Sequence, residues 1–164
     1  MRKILGVLML VCVLGLFAQI PAGTKSVALL SGGTSDLLAE GDLQYNLELN
    51  AGYFIMDALE IDAILGIDSD GDIGDDFELE MAFNAGIGAL YHMPLSPMLG
   101  LYGGAAFIFS SAGDGTSAVP IDVGLELFLT ENNAVRIANR FQLNLAEGAD
   151  NSDQIMIGTV HYFQ

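Results

Sequence analysis

LQYNLELNAGYFI, residues 43–55, decides the fold. Its odd positions read Leu43, Tyr45, Leu47, Leu49, Ala51, Tyr53 and Ile55, all apolar. The positions between them are Gln44, Asn46, Glu48, Asn50, Gly52 and Phe54, mostly polar or small. Side chains that switch character at every residue stand on opposite faces of an extended chain, so this stretch is a strand.

The same parity recurs downstream. Residues 59–67 alternate Leu59, Ile61, Ala63, Leu65 and Ile67 with Glu60, Asp62, Ile64 and Gly66. Residues 77–91 place Phe77, Leu79, Met81, Phe83, Ala85, Ile87, Ala89 and Tyr91 on the odd face. Residues 119–129 do so with Val119, Ile121, Val123, Leu125, Leu127 and Leu129. No odd position in these four strands carries a charge. Four further strands are expected at 25–34, whose facing is ambiguous, and at 99–110, 135–145 and 154–163. The total is eight.

Alternation also suits a soluble barrel with an apolar interior, such as a lipocalin-like carrier. Size on the polar face separates the two. Gly52, Gly66, Gly86, Gly88, Gly100, Gly104, Ala106 and Gly124 all lie on even positions, where small residues suit the crowded axis of a narrow barrel. The bulky residues crowd the odd face, which is therefore the outside and needs lipid. A Lys or Arg on a lipid face near the midplane costs about 2–4 kcal/mol, a penalty that keeps such positions uncharged. A closed sheet also pairs every backbone donor and acceptor, as a bilayer demands. The expected fold is all-β, a closed antiparallel up-and-down eight-stranded transmembrane β-barrel.

The chain has 164 residues and 52% hydrophobic content, yet a formal net charge of −16. Met1-Arg2-Lys3 precedes an apolar run over 4–17, the layout of a secretory signal peptide whose core is too short to span a bilayer. Cleavage is expected after Ala18, or as late as Ala22, leaving a barrel domain over 24–164. The only Cys, Cys12, lies in that run, so the remainder offers no disulfide, thiol nucleophile or zinc–thiolate site. Its cations are Lys25, Arg136 and Arg140 against 21 acidic residues. No basic stripe exists to neutralise phosphates, which excludes nucleic acid as a partner.

Tight links at 56–58 and 130–132 contrast with longer polar connections at 69–76, 112–118 and 146–152. Short turns at one rim and long loops at the other suit a barrel with its loops outside the cell. The segment 92–98, with Pro94 and Pro97, reads as an unusually long turn on the periplasmic side.

With these residues in view, the chain resembles the small outer-membrane β-barrel family, eight-stranded barrels similar to outer membrane protein X and the barrel of outer membrane protein A. Gly52-Tyr53-Phe54 followed by Asp57-Ala58-Leu59 looks like that family's strand–turn–strand signature, and Tyr162-Phe163 resembles the aromatic end recognised by the barrel-assembly machinery. The resemblance implies the cell outer membrane as location, with outer-membrane lipid, lipopolysaccharide and, during biogenesis, the assembly machinery as partners.

An antiparallel register through the 130–132 turn sets Glu126 opposite Arg136 and Asp122 opposite Arg140, so two lumen ion pairs are expected. Glu48, Glu60, Asp62, Glu78 and Glu80 are expected to make the rest of the lumen acidic. The acidic stretch 68–76 invites calcium, which takes clustered carboxylates. However, Ile73 stands where an EF-hand loop needs Gly, and Leu79 where it needs Glu. It reads as a solvated loop, or else as a weak divalent site bridging to lipopolysaccharide phosphates. His92 and His161 read as isolated rim anchors without a Ser partner, and Tyr53, Tyr91, Tyr102, Phe109, Phe141 and Phe163 as girdle or wall residues. No catalytic residue, metal or cofactor is expected. The leading reading is a monomeric structural barrel serving envelope integrity or surface interaction. The alternatives are a narrow ion or small-solute channel with an acidic lumen, and a soluble periplasmic carrier.

Overall fold

The computed structural model describes residues 20–35, 42–72, 78–111, 116–146 and 151–164, with backbone alone at 34–35, 42–44, 70–72 and 78–80. Eight strands follow in chain order: β1 Lys25–Ser35, β2 Asp42–Met56, β3 Leu59–Asp72, β4 Glu78–Ser96, β5 Leu99–Ser110, β6 Thr116–Thr130, β7 Asn133–Asn144 and β8 Ser152–Phe163. Each pairs antiparallel with its neighbours in sequence, and β1 pairs with β8 to close the barrel. Closure leaves no unpaired edge.

One parity runs through all eight strands. Among the described side chains, even-numbered ones turn to the axis and odd-numbered ones turn out up to the bulge before Met56, β1 included: Ser26, Ala28 and Leu30 are buried while Val27 and Leu29 are exposed. Leu47, Phe83 and Leu125 point outward, Phe83 with 65% of its surface exposed, and Ile61 lies half-buried on the same face. Glu48 and Glu60 point inward and are buried. This is the inverse of a soluble carrier, whose apolar side chains would fill the axis. Small residues let the wall close tightly around the interior. A Cβ on Gly124 would stand 2.7 Å from the Tyr102 ring.

Three tight turns mark one rim. Asp57–Ala58 joins β2 to β3, with Ala58 in the left-handed region at φ 66°, and two-residue links join β4 to β5 and β6 to β7. The long turn expected at 92–98 is therefore not there: β4 continues through Ser96 and only Pro97 and Met98 turn. The reason lies in the ladder. His92 N–H donates to Ala58 O, the last β3-side bond, so Pro94, two residues on, faces that side where no strand remains. Its missing N–H costs nothing there.

At the opposite rim the 69–76 connection is also shorter than expected. β3 continues to Asp72, paired with Asp42 of β2 and Glu78 of β4, and residues 73–77 lie outside the described set. Likewise β6 begins at Thr116, inside the connection expected at 112–118.

Candidate functional site

Inward parity delivers one side chain from every strand, polar from all but β2, to one level of the axis near the tight-turn rim. Ser26 comes from β1, Phe54 from β2, Glu60 from β3, His92 from β4, Tyr102 from β5, Glu126 from β6, Arg136 from β7 and Tyr162 from β8. All eight are buried.

Arg136, 1% exposed, organises the group. Its Nε donates to Glu126 Oε1 at 2.6 Å, and its Nη2 donates to Glu60 Oε2 at 3.1 Å and to the Tyr162 hydroxyl at 3.1 Å. β7 and β3 lie four strands apart around an eight-stranded wall, so the bond to Glu60 crosses the full lumen. Tyr162 in turn donates to Glu126 Oε1 at 2.6 Å, and the Ser26 hydroxyl donates to Glu60. The Arg136 guanidinium carbon sits 5.2 Å from the centroid of the Tyr102 ring, a cation–π distance.

His92 closes the ring of contacts. Its Nε2 lies 2.8 Å from Glu60 Oε2 and its Nδ1 3.0 Å from Glu126 Oε2. A neutral imidazole carries one N–H; an imidazolium carries two and donates to both carboxylates. In that form two cations balance Glu60 and Glu126, the pairing that buried charges require. The ring also packs 5.0 Å from Phe54 and 6.1 Å from Tyr102, centroid to centroid.

The rim-anchor reading of His92 and the wall reading of Tyr102 are thus corrected. Both occupy even positions, and parity carries them inside. His161 does sit at the outer surface of the rim, with Nδ1 2.6 Å from Asn133 Oδ1 and its ring edge-on to Phe163. Tyr53, Tyr91, Phe109, Phe141 and Phe163 are exposed on the outside.

A second level lies further along the axis. Arg140 donates from Nε and Nη2 to the two Asp122 oxygens, at 2.8 Å each. It also meets Glu48, donating from Nη1 and, at 3.1 Å, from Nη2. One guanidinium so ties β7 to both β6 and β2. Asp62 is buried beside Glu60, both flanking Gly52, and its Oδ1 receives no hydrogen bond. Glu78 and Glu80 align by backbone with Asp72 and Asp70, and their side chains lie outside the described set.

Asp68, first of the acidic stretch, belongs to β3 and accepts from the amides of Asn46 and, at 2.5 Å, Asn84. Among the described residues no three His, Cys, Asp or Glu side chains group to hold a metal ion. The Ser26 hydroxyl donates its hydrogen bond to Glu60 rather than to an imidazole. Sequence reading missed Ser26, Phe54, His92, Tyr102 and Tyr162 as members of the site. The signal that could have found them is the parity that placed Arg136 and Glu126.

No protein-family model matches the chain, and no curated protein matches it by sequence. Solved structures do. The chain is similar to a de novo designed transmembrane β-barrel, with 15% identity and TM-score 0.63 over 89% of this chain and 100% of that one. It is also similar to the N-terminal β-barrel domain of Pseudomonas aeruginosa OprF, with 16% identity and TM-score 0.58 over 87% and 98%. The Yersinia pestis outer membrane protein Ail gives 11% identity and TM-score 0.59 over 86% and 99%. The fold of this chain is that of an eight-stranded transmembrane β-barrel.

Proposed function

We propose that the chain is a structural barrel of a bacterial outer membrane, closed to solutes along its axis and without catalytic activity. It acts by spanning the membrane and presenting its acidic outer loops, in the service of envelope integrity or surface interaction. The observation that carries this is the Arg136 cluster, to which all eight strands contribute and which lies inside a wall whose outer face is predominantly apolar, with Lys25 and Asp153 charged near its two rims.

A conducting lumen needs a continuous aqueous path. Here Arg136 bridges opposite walls, aromatic rings of Phe54, Tyr102 and Tyr162 surround the bridge, and Arg140 repeats the bridging at a second level. Interiors of eight-stranded barrels are just wide enough for side chains to fill. The outward apolar face supports outer-membrane lipid as surroundings, with lipopolysaccharide in the outer leaflet, and the absence of a sheet edge supports a monomer. Delivery by the barrel-assembly machinery accords with the aromatic end at Tyr162-Phe163.

Two measurements test the reading. The protein is expected in the outer-membrane fraction, with a folded form that migrates differently on gels before and after heating. In planar bilayers it is expected to give no steady conductance. A detergent-free soluble fraction would refute the membrane placement, and a steady ion current would replace the structural role with the channel.

A further inference from the structure

Gly52 carries no side chain, and three oxygens crowd the place where one would stand. Glu60 Oε1, Ser26 Oγ and Asp62 Oδ1 all gather there, the Asp62 oxygen 2.5 Å from the position a Cβ would take. Ser26 and Asp62 are the cross-strand partners of Gly52 on its two sides, so register brings them together. Glu60 is divided between two settings. Its Oε2 meets the Arg136 guanidinium and the His92 ring, while its Oε1 turns to this spot and accepts from Ser26. Asp62 is 2% exposed, and its Oδ1 receives no hydrogen bond. Asn50, the next inward residue of β2, is 4% exposed with an equally unpartnered Oδ1. Buried polar atoms of native proteins are paired, and an exception calls for a water or an ion.

We propose that one sodium ion is bound here, by Asp62 Oδ1, Glu60 Oε1 and the Ser26 hydroxyl oxygen, with Asn50 Oδ1 beside them. Charge, donor type and spacing select it. Among the described residues of this level, the carboxylates of Glu60, Asp62 and Glu126 face two cations, Arg136 and the doubly donating His92, so one negative charge is unmatched. A buried carboxylate without a counter-charge is strongly disfavoured. A water supplies no charge, and a divalent ion would leave an excess beside Arg136. The second level has the same surplus, but there Asp122 is partly exposed and both its oxygens accept from Arg140. The donors are oxygen throughout, the ligand type of hard cations. They are drawn close together, as around an ion with oxygen distances near the ~2.3–2.6 Å of calcium, a size that sodium shares at half the charge. Ser26 donates to Glu60 and keeps lone pairs for the ion. The ion is enclosed when the wall closes and does not traverse it, so the site goes beyond the structural role and stands apart from the lipid surroundings.

The test is sodium linkage in the unfolding equilibrium. The full chain is folded into phosphatidylcholine vesicles and unfolded by urea. Sodium chloride replaces N-methylglucamine chloride stepwise at constant ionic strength, with EDTA present throughout to remove divalent ions. An ion held by the folded form alone divides the unfolding constant by one plus the ratio of its concentration to Kd. Above Kd, each ten-fold rise in sodium is therefore expected to lower that constant about ten-fold. Asp62→Asn should flatten the dependence, and Ser26→Ala should move its onset to higher sodium. Asp153→Asn, which removes a charge from the outer rim, should leave it unchanged. Gel migration before and after heating confirms that each variant is folded; if Asp62→Asn does not fold, the onset in Ser26→Ala decides. An unfolding constant of the unmodified protein that is indifferent to the exchange of cations overturns the ion, and leaves the barrel and its membrane placement standing. A sodium dependence that survives unaltered in Asp62→Asn, or in Ser26→Ala where that variant decides, puts the ion elsewhere and overturns this site.

Discussion

Replacing Arg136 by Met keeps much of the side-chain volume and removes the charge on which the axial cluster is built. The guanidinium makes three hydrogen bonds, two of them to carboxylates. Charge-assisted bonds contribute about 1.5–3 kcal/mol each. The gain is offset in the native protein by the cost of burying the guanidinium, which Met does not incur. Glu60 and Glu126, both buried, are left with His92, Ser26 and Tyr162 as partners. Removing one member of a buried ion network leaves uncompensated charge, at a typical cost of about 3–5 kcal/mol, and that is the expected loss for Arg136→Met. The assay is urea unfolding in phospholipid vesicles, followed by far-ultraviolet circular dichroism and by heat-dependent gel migration, with linear extrapolation to water. The chain has no Trp, so tryptophan fluorescence would report nothing. Adding Glu126→Gln to Arg136→Met should recover part of the loss, since the second change removes one of the stranded charges. That coupling falls in the range of about 0.5–3 kcal/mol for residues sharing a network. A single-variant loss under about 1 kcal/mol, with no recovery in the pair, would refute the idea that the cluster is an interdependent ion network rather than a hydrated one.

Two further outcomes follow from the wall and its rim. Ile87→Arg, in the middle of β4 on the outer face, should cost about 2–4 kcal/mol in the same unfolding assay, whereas Tyr53→Arg near the turn rim should cost about 0–1 kcal/mol; equal costs would contradict the depth assigned to the two positions. The mature N-terminus is expected at Gln19 by intact-mass measurement. Cleavage after Ala18 keeps the Ile20 carbonyl that accepts from Ala58 N–H at 3.1 Å and the Ala22 N–H that donates to Asp57 at 2.9 Å, and a start at Gly23 would lose both.

Parity carried most of the architecture, because a half-buried strand has to alternate and the odd face of β2 to β7 takes no charge. The partners across β6 and β7 follow from a two-residue turn, since a short link pins register and register pins which inward side chains meet. What crosses the lumen is not written locally. Arg136 reaches Glu60 from 76 residues away, and Arg140 reaches Glu48 from 92. Those contacts depend on the width of the closed wall and on which strands end up facing each other. The prolines at 94 and 97 suggested a loop because a Pro usually interrupts a ladder. Only the stagger of the strands reveals that β3 has already ended where Pro94 lacks its N–H. His92 was lost to the site by the same step, for a residue assigned to a loop has no parity to follow.

Because the cluster around Arg136 takes one side chain from each strand, it has a bearing on how the molecule is made. In a sheet not yet closed, β3 and β7 are four strands apart on an open surface, so Arg136 does not reach Glu60 until the seam between β1 and β8 zips shut. An open sheet therefore holds Glu60 and Glu48 without the guanidiniums that meet them across the lumen. The final strand acts as a keystone, completing the wall and quenching its interior in one event. Insertion and closure should consequently run as one concerted transition, with partly built forms too short-lived to accumulate.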